Sequence, residues 1–255
     1  LTGLDNLSTI GGNLTISYNS SLSTCDSEWL CDYLAAQTGS VNIEGNAPGC
    51  SFMDIAAGCG GLPCLPSNSS YFFYSQSDID NFQSAFPNCT ELQGNVIING
   101  SDITNLTGLN AVTSISGSLS IGGGWYANPS LTNLVGLENL AFVGGGIYIY
   151  GNAMLSSLTG LEGLSSINGN LCIGWYPPGL EDFVGNPSLI SLTGLNSLTT
   201  IGGNLFIADN QSLMNLTGLE SLSSIGGYLE ISSNGSLSSL TGLDNLTSIG
   251  GYLQI

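Results

Sequence analysis

"LTGLDNLSTIGGNLTI" at residues 1–16 and "LTGLDNLTSIGGYLQI" at residues 240–255 agree at twelve of sixteen positions. Setting the apolar residues in register extends this word to a unit of about 24 residues, L-T-G-L-x-x-L-S-S-I-G-G-N-L-x-I-x-x-N-x-S-L. Its L-x-I core recurs at Leu14, Val41, Val96, Leu119, Ile147, Leu171, Leu205, Leu229 and Leu253, with gaps of 27, 55, 23, 28, 24, 34, 24 and 24. A period of roughly 20 to 30 residues with fixed apolar slots is the mark of a solenoid. Within L-x-I the alternation is that of a strand, two residues facing in and the middle one out. The Gly-Gly before it, at Gly11, Gly202, Gly226 and Gly250, suits a corner at backbone angles unfavourable to residues with a Cβ. Each word is one coil, and stacked coils pair their strands in parallel.

The Asn after each strand, at Asn19, Asn46, Asn152, Asn210 and Asn234, fits an inward ladder of amides bonded to one another or to the turn backbone. Asn19, Asn210 and Asn234 also head N-x-S sequons, and a buried amide cannot carry a glycan. Eleven sequons occur in all. Asn6, Asn105, Asn215 and Asn245 are the glycosylation candidates expected to be exposed.

Composition narrows the classes of partner. The chain has 255 residues, 18 Asp and Glu, and no Lys, Arg or His. Nothing in it can neutralise a phosphate or an acidic lipid surface, so nucleic acid and anionic membranes are not expected partners. Gly and Asn interrupt every apolar run, so no membrane insertion is expected. The chain begins and stops in mid-pattern and is expected to be a piece of a longer protein, with any export signal or anchor elsewhere.

Six of seven Cys lie between residues 25 and 89, the seventh being Cys172. Such crowding points to disulfides in an oxidising compartment, extracellular or at a cell surface. Zinc is the rival, but without His it needs four thiolates, and no C-x-x-C pair is present.

Two stretches break the period. "STCDSEWLCDYLAA" with "GCSFMDIAAGCG" places Trp29, Leu30 and Leu34 at helical spacing behind Ser23 or Thr24 and adds a second short helix, as a lid over an open array end. "SQSDIDNFQSAFPNCTELQGNVII" reads as a helix carrying Ile79, Phe82 and Phe86, a turn at Pro87, and the first strand of a new array. Four lid Cys allow three pairings, of which Cys25 with Cys50 and Cys31 with Cys59 is the one preferred.

The helix, the "FPNCTELQGNVII" segment and the "LTGL" coils together resemble the start of receptor L domains, the solenoid ligand-binding modules of growth-factor receptors. The whole chain resembles still more the L-domain-like arrays of secreted bacterial surface proteins, with their "LTGLxxLTSIGG" words and Cys-rich lids. The resemblance covers most of the chain and is most specific from Ile79 to Ile98. It implies a right-handed, leucine-rich-repeat-like parallel β-helix with short capping helices, and a disulfide of Cys64 with Cys89. The matched pattern is scaffold, so no individual binding residue carries over, and the absence of basic residues departs from the receptors.

On this reading residues 1–61 are the last coils and lid of one array and residues 62–255 the cap and coils of a second, truncated or continuing. The match of residue 240 to residue 1 makes a module of 239 residues joined head to tail, unless common consensus words merely recur. Expected partners are copies of the chain or tandem neighbouring modules, with covalent or bound glycans.

An enzyme is not expected, because His, Lys and Arg supply most general bases and oxyanion clamps. Glu181 and Asp182 are the nearest approach to a glycosidase pair, but adjacent residues rarely face one another across a bond. Asp5, Glu138, Glu162, Glu220 and Asp244 share the slot after "GL", with Asn110 and Asn196 in the same place. Ca²⁺ is the one cofactor such a stripe would suit, a hydrated face being the plainer reading; otherwise no cofactor and no metal are expected. Two insertions, "GGGWYANPSL" after Ile121 and "GWYPPGLEDFVGNPSL" after Ile173, flank the coil of Tyr148 and Tyr150. Stacking brings Trp125, Tyr126, Tyr150, Trp175 and Tyr176 to one edge, either as an aromatic platform for a glycan or a protein or as rings folded back over the coil. Cys172 sits beside it, as a free thiol or an intermolecular link. The function expected is a non-catalytic extracellular structural or adhesive module of a surface fibre or filament, the alternative being carbohydrate or protein recognition at the Trp/Tyr edge.

Overall fold

The computed structural model describes every residue except 2, 5, 26, 37–38, 66–69, 124–127 and 175–184. The chain is mainly β, with parallel sheets and three short α-helices among the described residues. It divides into two compact units, Leu1–Cys64 with Ser77–Cys89, and Leu65–Gln76 with Thr90–Ile255.

In the first unit, β1 (Leu14–Ser17) pairs in parallel with β2 (Val41–Glu44), Leu14 beside Val41 and Ile16 beside Ile43. Helix α1 (Glu28–Ala36) buries Trp29, Leu30, Tyr33 and Leu34. Helix α2 (Phe52–Gly58) buries Met53, Ile55 and Ala56 and opens on a capping box, the Ser51 hydroxyl accepting from the Asp54 N–H while Asp54 accepts from the Ser51 N–H. Helix α3 (Gln76–Ala85) belongs here from Ser77 onward. Its Asn81 amide and Ser77 hydroxyl both donate to Asp54 Oδ1 at 2.9 Å. Phe86 lies 6.0 Å from Phe52 and 5.8 Å from Phe82, ring centre to ring centre. Disulfides join Cys25 to Cys50, Cys31 to Cys59 and Cys64 to Cys89, closing loops of 25, 28 and 25 residues. A unit with one two-stranded sheet has little apolar core, and such bridges compensate by restricting its unfolded state.

The second unit is built from repeated turns, each giving one strand to each of two parallel sheets. The first sheet takes β3 (Ser70–Phe73), β5 (Asn95–Ile98), β7 (Leu119–Gly122), β9 (Ile147–Tyr150), β11 (Leu171–Ile173), β13 (Leu205–Ala208), β15 (Leu229–Ser232) and β17 (Leu253–Gln254), side by side in that order. The second takes β4 (Glu91–Leu92), β6 (Ser114–Ile115), β8 (Phe142–Val143), β10 (Ser166–Ile167), β12 (Thr200–Ile201), β14 (Ser224–Ile225) and β16 (Ser248–Ile249). Leu171 pairs with Ile147 and Leu205, and Leu205 with Leu229, so equivalent apolar residues sit over one another. The strand at Asn95–Ile98, expected to be the first of its array, is the second, because Ser70–Phe73 pairs ahead of it. The short second strands, at the Ser-Ile of each word, were not anticipated.

Four leucine slots in each turn complete the core: Leu155, Leu158, Leu161 and Leu164 are fully buried, as are Leu189, Leu192, Leu195 and Leu198. Among the described residues this side carries no strands, but backbone bonds bridge it turn by turn, among them those from Leu158 N–H to the Thr193 carbonyl and from Leu192 N–H to the Thr217 carbonyl, each at 2.9 Å.

The glycines need a different account from the expected one. Gly202, Gly226 and Gly250 have ordinary backbone angles; what excludes a side chain is the carbonyl of the preceding turn, that of Asn168, Gly202 and Gly226 respectively, against the place a Cβ would take. The positive angles belong instead to the glycine of "LTGL". Gly218 has φ +116° and also meets the Leu192 carbonyl, so it is constrained twice.

Candidate functional site

Among the described residues three features stand out: the buried asparagines, the outward face of the larger sheet, and the polar slots of the turns. The ladder comprises Asn128, Asn152, Asn186, Asn210 and Asn234, the first four fully buried. Each Nδ2 donates to the next Oδ1: Asn128 to Asn152 at 3.0 Å, Asn152 to Asn186 at 3.0 Å, Asn186 to Asn210 at 3.1 Å and Asn210 to Asn234 at 3.3 Å. Each also donates to an isoleucine carbonyl of the preceding turn, as Asn186 does to Ile149 and Asn210 to Ile173. Every amide dipole therefore points the same way, and strand ends that would be orphaned at the corner are satisfied.

Sequence spacing found Asn152, Asn210 and Asn234 in this ladder but missed Asn128 and Asn186. These stand at the head of Asn-Pro-Ser-Leu, where the insertions rejoin the repeat, and that shared ending was the available signal. Asn19 and Asn46 form a separate pair in the first unit, Asn19 Nδ2 donating to Asn46 Oδ1 at 3.1 Å and Asn46 Nδ2 to the Ile16 carbonyl at 2.8 Å. The Asn210 sequon is closed to modification in the folded chain.

Of the glycosylation candidates, Asn6 and Asn245 are exposed and Asn105 and Asn215 partly so. Asn105 Oδ1 accepts from the Thr107 N–H at 3.1 Å, and Asn215 Oδ1 from the Thr217 N–H at 3.1 Å. The Asn245 amide nitrogen is engaged, donating to the Glu220 carbonyl at 2.7 Å.

The acidic slot proves to be a turn device. Glu138, Glu162, Glu220 and Asp244 each accept from the N–H of the glycine two residues earlier, at 2.9, 2.8, 2.9 and 3.0 Å. Asn196 does the same for Gly194 at 3.2 Å, which explains why Asn and acid share the slot. Asp5 lies outside the described residues. Among the described residues no three Asp, Glu or Cys converge as a metal site.

On the outward face of the larger sheet, Ser120, Tyr148, Cys172, Phe206 and Glu230 stand in one row, each in register with the next. Cys172 is outward by alternation yet only 1% exposed, and burial pushes its thiol up to about 12. That environment suits an inert thiol rather than an intermolecular link. Tyr148 is half-buried, and burial followed by the neighbouring Cys172 raises its phenol above the usual range. Phe206 meets Tyr228 edge to face at 5.0 Å, and Tyr228 stacks on Tyr252 at 4.4 Å. Tyr150, in β9, pairs with Gly122, where a Cβ would collide with the Tyr150 carbonyl. Trp125, Tyr126, Trp175 and Tyr176, expected to crowd the same edge, lie outside the described residues, as do Glu181 and Asp182.

A shallow open groove of about 400 Å³ crosses the second sheet over Thr200, Gly202, Ser224, Gly226, Ser248 and Gly250, with no titratable group in its lining. Among the described residues no helix is long and apolar enough to cross a membrane. The three disulfides point to folding in an oxidising, extracellular environment. No protein-family model, no characterised protein and no solved structure matches the chain.

Proposed function

We propose that this chain is a non-catalytic extracellular module with a structural or adhesive role, repeated in tandem or assembled with copies of itself in a surface fibre. Its architecture is a right-handed, leucine-rich-repeat-like parallel β-helix of the receptor L-domain-like kind, with short capping helices. The observation that carries this reading is the asparagine ladder, which starts where the first insertion rejoins the repeat and passes the second without a break. Parting two neighbouring turns requires breaking strand bonds in both sheets together with the buried amide bonds, so stiffness is a property of the array as a whole. Side chains at the repeat positions are spent on packing and turn closure, and the commonest general bases are missing. The test is electron microscopy of the native material. Units following one another along a rod are expected; isolated units with no neighbours overturn the proposal.

A further inference from the structure

From β6 to β16 the second sheet is built without charge. Segments 113–118, 141–146, 165–170, 199–204, 223–228 and 247–252, each a short strand with the corner that follows it, contain no Asp or Glu, on a chain of net charge −18. Glu91 stands on β4, two strands beyond β8 on the side away from β12. Two features of this sheet's outward face serve neither packing nor turn closure. One is Phe142 of β8, 42% exposed, in a row continued by Ser114 on one side and by Ser166, Thr200, Ser224 and Ser248 on the other. The other is the groove of about 400 Å³ that runs from β10 to β16 over Gly202, Gly226 and Gly250. Its middle lies two to three strand spacings from Phe142, roughly 10–14 Å. Hydroxyls along these strands divide by role. Those of Thr199, Ser223 and Thr247 donate to carbonyls of the preceding turn at 2.9, 3.0 and 3.0 Å, whereas those of Thr200, Ser224 and Ser248, which line the groove, make no hydrogen bond to another described residue.

A protruding ring and a groove on one face of one unit are complementary to themselves. A two-fold axis perpendicular to the sheet, between β10 and β12, carries Phe142 of one copy over the groove of the other and the reverse, so one contact made twice closes as an isologous pair. The groove is floored by glycine, so an entering ring displaces no side chain. Charge selects the same partner: a copy brings the like charge of the whole chain, and approach is least opposed where both surfaces carry none. A cationic partner gains nothing from a face without carboxylates, and a sugar chain would fill the groove but leave Phe142 in water. A strand pairing beside β16 lies in the plane of the sheet and does not cover this face.

We propose that the outward face of the second sheet docks a second copy of the chain, Phe142 of each entering the groove of the other. The inference deepens the fibre reading and rests on its premise that copies of the chain meet, adding a side-to-side contact that end-to-end succession does not need. Sedimentation of the full chain over a concentration series should show a monomer–dimer equilibrium that tightens as salt rises, because salt screens the repulsion between copies and the contact holds no ion pair for it to weaken. Phe142→Ala should raise the dimer Kd about tenfold or more, since a two-fold contact counts the ring twice. Ser224→Asp, which sets a charge in the groove, should raise it at least as much. Ser236→Asp, the same charge at an exposed position in the turn after Asn234, should leave it within about threefold. Should Ser224→Asp fold poorly, Phe142→Ala, at an exposed position, carries the test. A monomer at every concentration, a dimer that weakens with salt, an unchanged Kd in Phe142→Ala, equal effects of the two Asp variants, or a neutral oligosaccharide bound to the monomer and lost in Ser224→Asp, would each overturn the proposal. A monomer here alongside rods in the microscope would remove the docking face and spare the fibre; a dimer here alongside isolated units would do the reverse.

Discussion

Replacing Asn186 by Ala tests the ladder where it was least visible. Asn186 is fully buried; its Oδ1 accepts from the Asn152 N–H at 3.2 Å and Nδ2 at 3.0 Å, and its Nδ2 donates to the Ile149 carbonyl at 2.9 Å and to Asn210 Oδ1 at 3.1 Å. Not all four losses count equally. Asn152 Nδ2 keeps the Ile121 and Tyr150 carbonyls, and Asn210 Oδ1 keeps the Asn186 N–H. One backbone group is orphaned, the Asn152 N–H, since the Ile149 carbonyl keeps the Gly174 N–H at 2.7 Å. At about 1–3 kcal/mol for a buried unsatisfied group, the expected cost is about 2 kcal/mol. Asn234→Ala removes similar bonds at a partly exposed position, where water replaces them, and should cost about 1 kcal/mol. Urea unfolding followed by circular dichroism measures both, and amide exchange at Asn152 gives a local reading that holds even if the array unfolds in stages. A cost below about 1 kcal/mol for Asn186→Ala, or equal costs for the two variants, would refute the idea that the ladder is a buried hydrogen-bond device.

The glycine argument is checked by an equivalent pair: Gly226→Ala, blocked by the Gly202 carbonyl, should lose about 2 kcal/mol, whereas Gly11→Ala, with open space around it, should stay within about 0.5 kcal/mol. Asp54 titrates below its ordinary 3.8: burial opposes this, but the Ser51, Ser77 and Asn81 hydrogen bonds outweigh it. A lowered folded value means the contribution is complete above pH 3.8 and is lost as pH falls through the folded value, so melting in acid should show a drop there that Asp54→Asn abolishes. Cys172, with its thiol pushed up to about 12, should resist a thiol reagent at pH near 8 in the native chain and react promptly in denaturant; rapid native reaction would contradict its burial. Replacing Cys25 and Cys50 together by Ser should destabilise the first unit by about 3.5 kcal/mol, the entropy of a 25-residue loop, read from its melting transition.

Much of this was legible from spacing. The columns of Leu171, Leu205 and Leu229, the parallel pairing and the helices around Trp29 and Phe82 follow from apolar periodicity, which burial enforces one residue at a time. The acidic slot was equally visible, but its local bond was not. A row of carboxylates suggests a cation or a hydrated face; that one oxygen of each also closes its own turn on a glycine N–H two residues earlier is a bond that a pattern of charges does not display.

By itself, the sequence determined that turns of like spelling must stack, because a Leu or Ile column is buried only by its counterpart in the next turn. Tertiary structure alone decided which asparagines join the ladder, since insertions of unequal length displace Asn128 and Asn186 in sequence while leaving them aligned in space. It also decided why glycine stands at the corner, where the obstacle is a carbonyl roughly one turn away along the chain, and why an outward-facing Cys172 is nevertheless out of reach of solvent. In each case the cause is a neighbour brought close by stacking, and periodicity announces that a neighbour exists without saying which atoms it presents.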